Sequence, residues 1–159
     1  MKKAWIAFVL TCSALVAAPA ADAFNFVRFN AGLPVAFPID DTINNGDPLS
    51  GKNFGIDIAA FDNLTVGYDA LILGAAAPIA IKGLRLGYSV SPKLGIALDL
   101  GSNNGDPAAV IGVFSNVAGG KTKVGIIHGL SLRADYVIPD TDDIGAGAIV
   151  LSVGAYFGY

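Results

Sequence analysis

The sequence predicts an all-β fold, an antiparallel up-and-down barrel of eight strands, and three observations predict it. Apolar residues recur at every second position in one run after another, the period of a strand with two different faces. Short turn signals alternate with longer loops rich in Pro, Asn, Gly and Asp. Long-chain helix formers are scarce and glycine is abundant: 20 of 159 residues are Gly, and all 13 acidic residues are Asp.

The fold is expected to begin after residue 23. Lys2 and Lys3 make a positive start, Ala4 to Val16 is a mostly apolar run, and small-x-small sites follow at Ala18-Pro19-Ala20 and Ala21-Asp22-Ala23. This is the layout of a secretory signal peptide, with cleavage after Ala23. Residues 1–23 are read as that signal and 24–159 as one barrel domain. Cys12 is read as part of the apolar run, because Thr11 stands where a lipoprotein signal has Gly, Ala or Ser. The expected mature chain then has no cysteine and no disulfide framework. Without Lys2, Lys3 and Asp22, the ten basic and thirteen acidic residues become eight and twelve, a net charge of −4. No basic block points to nucleic acid.

Taken in chain order, the first strand is a weak segment, Phe24 to Ala31. Leu33 to Ser50 reads as a long loop. In Asn53 to Ala59, Phe54, Ile56 and Ile58 oppose Asn53, Gly55 and Asp57. In Leu64 to Ile72, Leu64, Val66, Tyr68, Ala70 and Ile72 oppose Thr65, Gly67, Asp69 and Leu71. Lys82 to Val90 sets Leu84, Leu86, Tyr88 and Val90 against Gly83, Arg85, Gly87 and Ser89. After Ser91-Pro92-Lys93, Leu94, Ile96, Leu98 and Leu100 oppose Gly95, Ala97, Asp99 and Gly101, so these two runs form a hairpin. Ala108 to Val117 is weaker. Val124 to Tyr136 opposes Ile127, Ser131, Arg133 and Asp135 to Ile126, His128, Leu130 and Leu132, after a simple connection at Gly119-Gly120. Gly145 to Tyr159 is the eighth strand.

The second face decides between a sandwich and a barrel. A soluble sandwich turns a charged, polar face to water. Here that face is Gly, Ala, Ser and Asn, with isolated Asp57, Asp69, Arg85, Asp99, Arg133 and Asp135. Small residues with a few opposite charges suit the narrow interior of an eight-stranded barrel, and the apolar face is then left to lipid. A bilayer tolerates no unpaired backbone, so a spanning sheet closes on itself. Spanning by helices is excluded by length. The longest charge-free stretch after residue 23, Ile144 to Tyr159, has 16 residues and four glycines, short of the roughly 20 that a spanning helix needs.

The last strand adds a motif. Leu151, Val153, Ala155, Phe157 and Tyr159 are apolar at alternate positions back from an aromatic terminal residue. This resembles the C-terminal strand of bacterial outer-membrane barrels, which the barrel assembly machinery reads. With the alternation, the chain resembles small barrels of the OmpA/OmpX/OmpW type. The resemblance implies a Gram-negative cell envelope, both termini in the periplasm, and a surroundings of outer-membrane lipid and lipopolysaccharide. Aromatic residues near strand ends fit the girdles of such barrels. Phe24, Phe26, Phe61, Tyr88, Phe114, Phe157 and Tyr159 lie near the expected periplasmic ends, and Phe54 and Tyr136 nearer the outer ends.

The candidate chemistry is sparse. The six inward charges line either a narrow polar channel or a lumen closed by ion pairs; eight strands leave little room, which favours the closed lumen. Four Asp against two Arg leave a surplus of carboxylate. Asn44-Asn45-Gly46-Asp47-Pro48 recurs as Asn103-Asn104-Gly105-Asp106-Pro107. Asn-Gly supplies positive φ and Asp-Pro restarts an extended chain, so turn chemistry is favoured over a Ca²⁺ site at Asp47 and Asp106. Asp40, Asp41, Asp140, Asp142 and Asp143 give the outer loops an acidic rim that suits divalent ions bridging lipopolysaccharide phosphates. His128, the only histidine, has Leu at position 130 and Ser131 on the opposite face, so no nucleophile and base stand together. No cofactor motif is present, and the chain is expected not to be an enzyme. The leading reading is a non-enzymatic outer-membrane barrel with a structural or surface role, or a narrow porin-like passive pore. A periplasmic or secreted β-sandwich binding module competes with it, as does a lipid-modifying barrel enzyme dependent on His128.

Overall fold

The structure, a computed structural model, describes residues 27–39, 41, 44–61, 63–74, 79–91, 94–103, 105–139 and 147–159. The expected signal segment, Phe24 and Phe26, and Asp40, Asp140, Asp142 and Asp143 lie outside them. Eight strands follow one another: β1 (Val27–Pro38), β2 (Leu49–Phe61), β3 (Leu64–Leu73), β4 (Ile79–Ser89), β5 (Gly95–Asn103), β6 (Asp106–Lys121), β7 (Ile127–Pro139) and β8 (Ala148–Gly158). Each pairs antiparallel with its neighbours in sequence, and β1 also pairs with β8, so a single sheet closes into a barrel. Backbone bonds between Val27 and Tyr159 run both ways at 2.9 Å and fasten the seam at the chain ends. Closure leaves no open sheet edge. The competing sandwich would need two sheets, and the chain forms one.

The register follows the alternation. Arg85 lies across from Gly67 on one side and Asp99 on the other, and Leu84 from Tyr68 and Leu100. Residues of one parity therefore face the lumen all round the barrel, and those of the other parity face out.

Several boundaries differ from the expected ones: β2 starts at Leu49 and β4 at Ile79, four and three residues before the runs read from the sequence. β1 runs on to Pro38, past Ala31, because Leu33, Val35 and Phe37 continue the outward row while Pro34 and Ala36 pack inward. Pro34 was read as a loop signal. The ladder to β2 accommodates it with a gap, passing from Gly32↔Asn53 to Val35↔Ser50, since proline has no N–H to give. Val124 to Ile126 belong to a turn. The Thr122 carbonyl accepts from Gly125 N–H and the Thr122 hydroxyl from Ile126 N–H, with Gly125 at φ 91. β7 consequently starts at Ile127 and reaches Pro139. Gly119 and Gly120, read as a connection, lie inside β6, beyond a bulge between Asn116 and Ala118. The Ser102-to-Pro107 loop contracts to a tight turn closed by the pair Asn103↔Asp106, with Gly105 at φ 109.

The two faces have opposite chemistry. Large apolar side chains stand exposed on the outside, among them Phe29, Leu33, Phe54, Leu84, Ile96, Leu130, Val153 and Phe157. The buried charged residues are Arg28, Asp57, Asp69, Arg85, Asp99, Arg133 and Asp135, all inside.

Candidate functional site: the barrel lumen

Inward parity brings the charges from β2, β3, β4, β5 and β7 to one level of the lumen. Arg85 stands at the centre of one half. Its Nε lies 3.3 Å from Asp57 Oδ1, and one terminal nitrogen lies 3.2 Å from Asp69 Oδ2 and 3.7 Å from Asp99 Oδ1. Arg133 commands the other half, with Nε 2.7 Å from Asp135, one terminal nitrogen 2.5 Å from Asp69 and the other on Asp99. Asp69 and Asp99 thus each bridge both arginines. The bonds cross the lumen from strand to strand, so the planar forks of Arg85 and Arg133 tie five strands together.

Glycine makes the room. A Cβ at Gly55 would meet the Asp69 carboxylate, one at Gly67 that of Asp57, and one at Gly112 that of Asp135. Each of these glycines is the register partner of the aspartate it accommodates. The small-residue face read from the sequence is therefore the space into which the charged side chains fold.

A third arginine joins the network. Arg28 on β1 donates from Nε to Asn30 Oδ1 at 2.6 Å, and Asn30 donates to Asp57 Oδ2 at 2.7 Å. Its guanidinium lies 4.4 Å from the Tyr156 ring centroid and 6.0 Å from that of Phe114, which Arg85 also approaches at 5.5 Å. These are cation–π contacts with little water near them. Phe114 was expected in the periplasmic girdle; its parity on β6 turns it into the lumen instead, where it carries two arginines. With Arg28 included, the lumen holds four carboxylates and three guanidiniums, and the expected surplus falls from two to one. The alternation of Arg28 and Asn30 with Phe29 and Ala31 is the sequence signal for this arm.

Toward the end opposite the chain termini the lumen changes character. Ala36, Leu71, Leu73, Ile81, Ala108, Val110, Val137, Ala148 and Val150 form one buried apolar cluster, with Leu49 and Ile79 packed against it. Leu73, Val110 and Val150 are at most 1% exposed. This plug closes the barrel above the charges. Below them lies a polar cavity of about 30 Å³, lined by Arg28, Asn30, Asn53, Arg85, Phe114, Ser131, Arg133 and Ser152 among others. That is room for about one water molecule. Asn53 Oδ1 and Ser152 Oγ are buried beside it without a hydrogen-bond partner. Tyr156 and Ile127 close the lower end, with the Tyr156 hydroxyl against the inward glycines Gly119 and Gly129.

The remaining sequence candidates lie apart from this network. His128 is exposed on the outer wall, paired in register with Gly120 and Phe157, and Ser131 faces the lumen. Leu151, Val153, Ala155 and Phe157 lie on the outward face of β8 and Tyr159 follows just beyond its end, with Val153, Phe157 and Tyr159 more than half exposed. The two copies of the repeat adopt different turns. Asn44, Asn45 and Gly46 form a left-handed turn with φ of 51, 54 and 79. In the second copy the Asn103 side chain accepts from the Ala80 N–H at 3.0 Å. Asp47 and Asp106 are exposed at separate turns, and among the described residues no group of three His, Cys, Asp or Glu is placed to hold a metal.

No protein-family model matches the chain, and a search of curated proteins finds no match.

Proposed function

We propose that the protein is an integral barrel of the Gram-negative outer membrane, non-enzymatic and sealed, serving a structural or surface role. The observation that carries this reading is the inversion of its two faces. A barrel built for water hides apolar groups and displays charge. This one holds seven charged side chains inside, and between its strand ends Lys52 and Lys82 are the only outward charges among the described residues. An exterior of Leu, Ile, Val and Phe on a closed sheet is the surface that hydrocarbon accepts and water does not.

The lumen favours a seal over a pore. A solute would have to part the crossed Arg–Asp bonds and then the apolar plug above them. The signal-like residues 1–23 and the aromatic outward C-terminal strand support export and insertion by the barrel assembly machinery. Lipids of the outer membrane, lipopolysaccharide included, are the partners this surface calls for.

The test is fractionation of the tagged protein, with gel mobility compared before and after heating. Outer-membrane recovery and a heat-modifiable band are expected, with no conductance in planar bilayers. Recovery in the soluble periplasm would overturn the membrane reading. Discrete conductance steps would replace the sealed barrel with a narrow pore.

A further inference from the structure

The two outward lysines have no ion pair with any described residue. Both are exposed. Lys52 sits three residues into β2 from its loop end at Leu49, and Lys82 three residues into β4 from its loop end at Ile79. At about 3.4 Å per residue, both lie within roughly 10 Å of the outer rim. They flank β3, with Lys52 paired to Ile72 and Lys82 to Ala70. Two flexible four-carbon stems can bring both ammonium groups over that one strand. Ser102 stands directly across from Lys82 on β5 and adds a hydroxyl.

The wall is banded. Below the lysines come Phe54, Leu84 and Leu100, apolar and exposed. Above them come Asp47 in the β1–β2 connection and Asp106 at the start of β6, exposed and acidic. A lysine facing hydrocarbon at mid-depth is costly, and one at the interface is nearly free. Two neighbouring unpaired lysines at the interface make a local positive patch that attracts an anion, and the wall itself pairs neither of them among the described residues. The lipid phase is what remains to provide one.

We infer that Lys52 and Lys82, with Ser102, form a binding site for the phosphate of a lipid in the outer leaflet, whose acyl chains run down over the exposed Phe54, Tyr68 and Leu84. The inference rests on the membrane reading above. Phosphate suits the site because ammonium groups act on it as point charges and a hydroxyl adds a directed hydrogen bond.

The experiment compares the refolded full-length barrel with its Lys52→Gln/Lys82→Gln and Lys52→Arg/Lys82→Arg variants. Native mass spectrometry from mixed micelles counts adducts of a phosphorylated glycolipid and of its dephosphorylated form. Wild type is expected to retain the phosphorylated lipid about tenfold better than the double Gln variant, with the double Arg variant close to wild type. Equal retention by wild type and the Gln variant, or equal retention of both lipids by wild type, overturns the site. Inorganic phosphate at millimolar concentration is expected not to displace the lipid; full displacement would mean a site for free phosphate and overturn the lipid assignment. Heat-modifiable mobility is read on every sample. A heat-modifiable barrel with no phosphate preference sinks the lysine site alone, whereas a wild type that never inserts sinks the membrane reading and the site with it.

Discussion

Away from the chain termini the lumen is filled by Leu71, Leu73, Ile81, Val110, Val137 and Val150, whereas toward the termini it is crossed by Arg28, Arg85 and Arg133 on four aspartates. Both halves close the barrel, yet they hold it by different means. The plug works by volume, and any of its side chains can shrink at the cost of a cavity. The charge layer works by stoichiometry. Asp69 and Asp99 each answer to two arginines, so removing one cation strands several anions. The plug is therefore a graded device and the charge layer close to an all-or-none one.

The largest expected effect comes from breaking the charge layer at its most connected point. Arg133→Met keeps an unbranched apolar stem and removes the cation that Asp69, Asp99 and Asp135 share. Leaving buried charge uncompensated typically costs about 3–5 kcal/mol. The urea midpoint of the refolded barrel should fall accordingly. The readout is far-UV circular dichroism, since the one tryptophan, Trp5, lies in the expected signal segment. A variant as stable as wild type would mean that the crossed ion pairs contribute nothing net. Arg133→Lys should recover only part of the loss, because an ammonium cannot reproduce the fork that spans three carboxylates.

Next in size is Leu73→Ala in the plug, a side chain 1% exposed. Truncation of a buried leucine costs about 2–5 kcal/mol, set by how far the surroundings relax. This variant should be destabilised and remain electrically silent, because the charge layer below is untouched. Combining it with Arg133→Met sharpens the comparison. If each half seals independently, only the double variant should pass ions in planar bilayers. Conductance in Leu73→Ala alone would show that the charge layer is permeable and that the plug is the only seal.

How much of this was legible depended on contrast between the faces. Where the lumen is polar and the outside apolar, the two-residue period is plain, and Asp57, Asp69, Arg85, Asp99, Arg133 and Asp135 stand out against Ile, Leu and Tyr. Where the plug begins, both faces are apolar and the period vanishes. Ala148-Ile149-Val150-Leu151 alternates between lumen and exterior with no change of polarity. The plug went unread for that reason, although Leu71 was placed on the inner face. Phe114 and Arg28 were misplaced or missed for another. Their partners lie on strands distant in sequence, and only closure of β1 on β8 brings Tyr156 beneath Arg28. The shortened loops have a local cause: Asn-Gly and Asp-Pro marked turns correctly, but a turn residue does not say how closely a strand resumes beside it.

The smallest effect separates the two copies of the repeat. Gly105 holds φ at 109 with nothing within 4 Å of where a Cβ would stand, so Gly105→Ala tests backbone strain without a clash. A non-glycine residue held at positive φ costs about 1–2 kcal/mol. In the first copy the strain is already present, since Asn44 and Asn45 sit at φ 51 and 54. Asn45→Gly should leave the urea midpoint unchanged or raise it by a few tenths of a kcal/mol, because the relief of strain is offset by the freer unfolded chain. Opposite signs for the two substitutions would show that one five-residue sequence is used as a strained turn at one site and a glycine-dependent one at the other. Equal losses would mean that Asn45 also makes a contact worth keeping, and the two turns would then differ in their neighbours and not in their backbones.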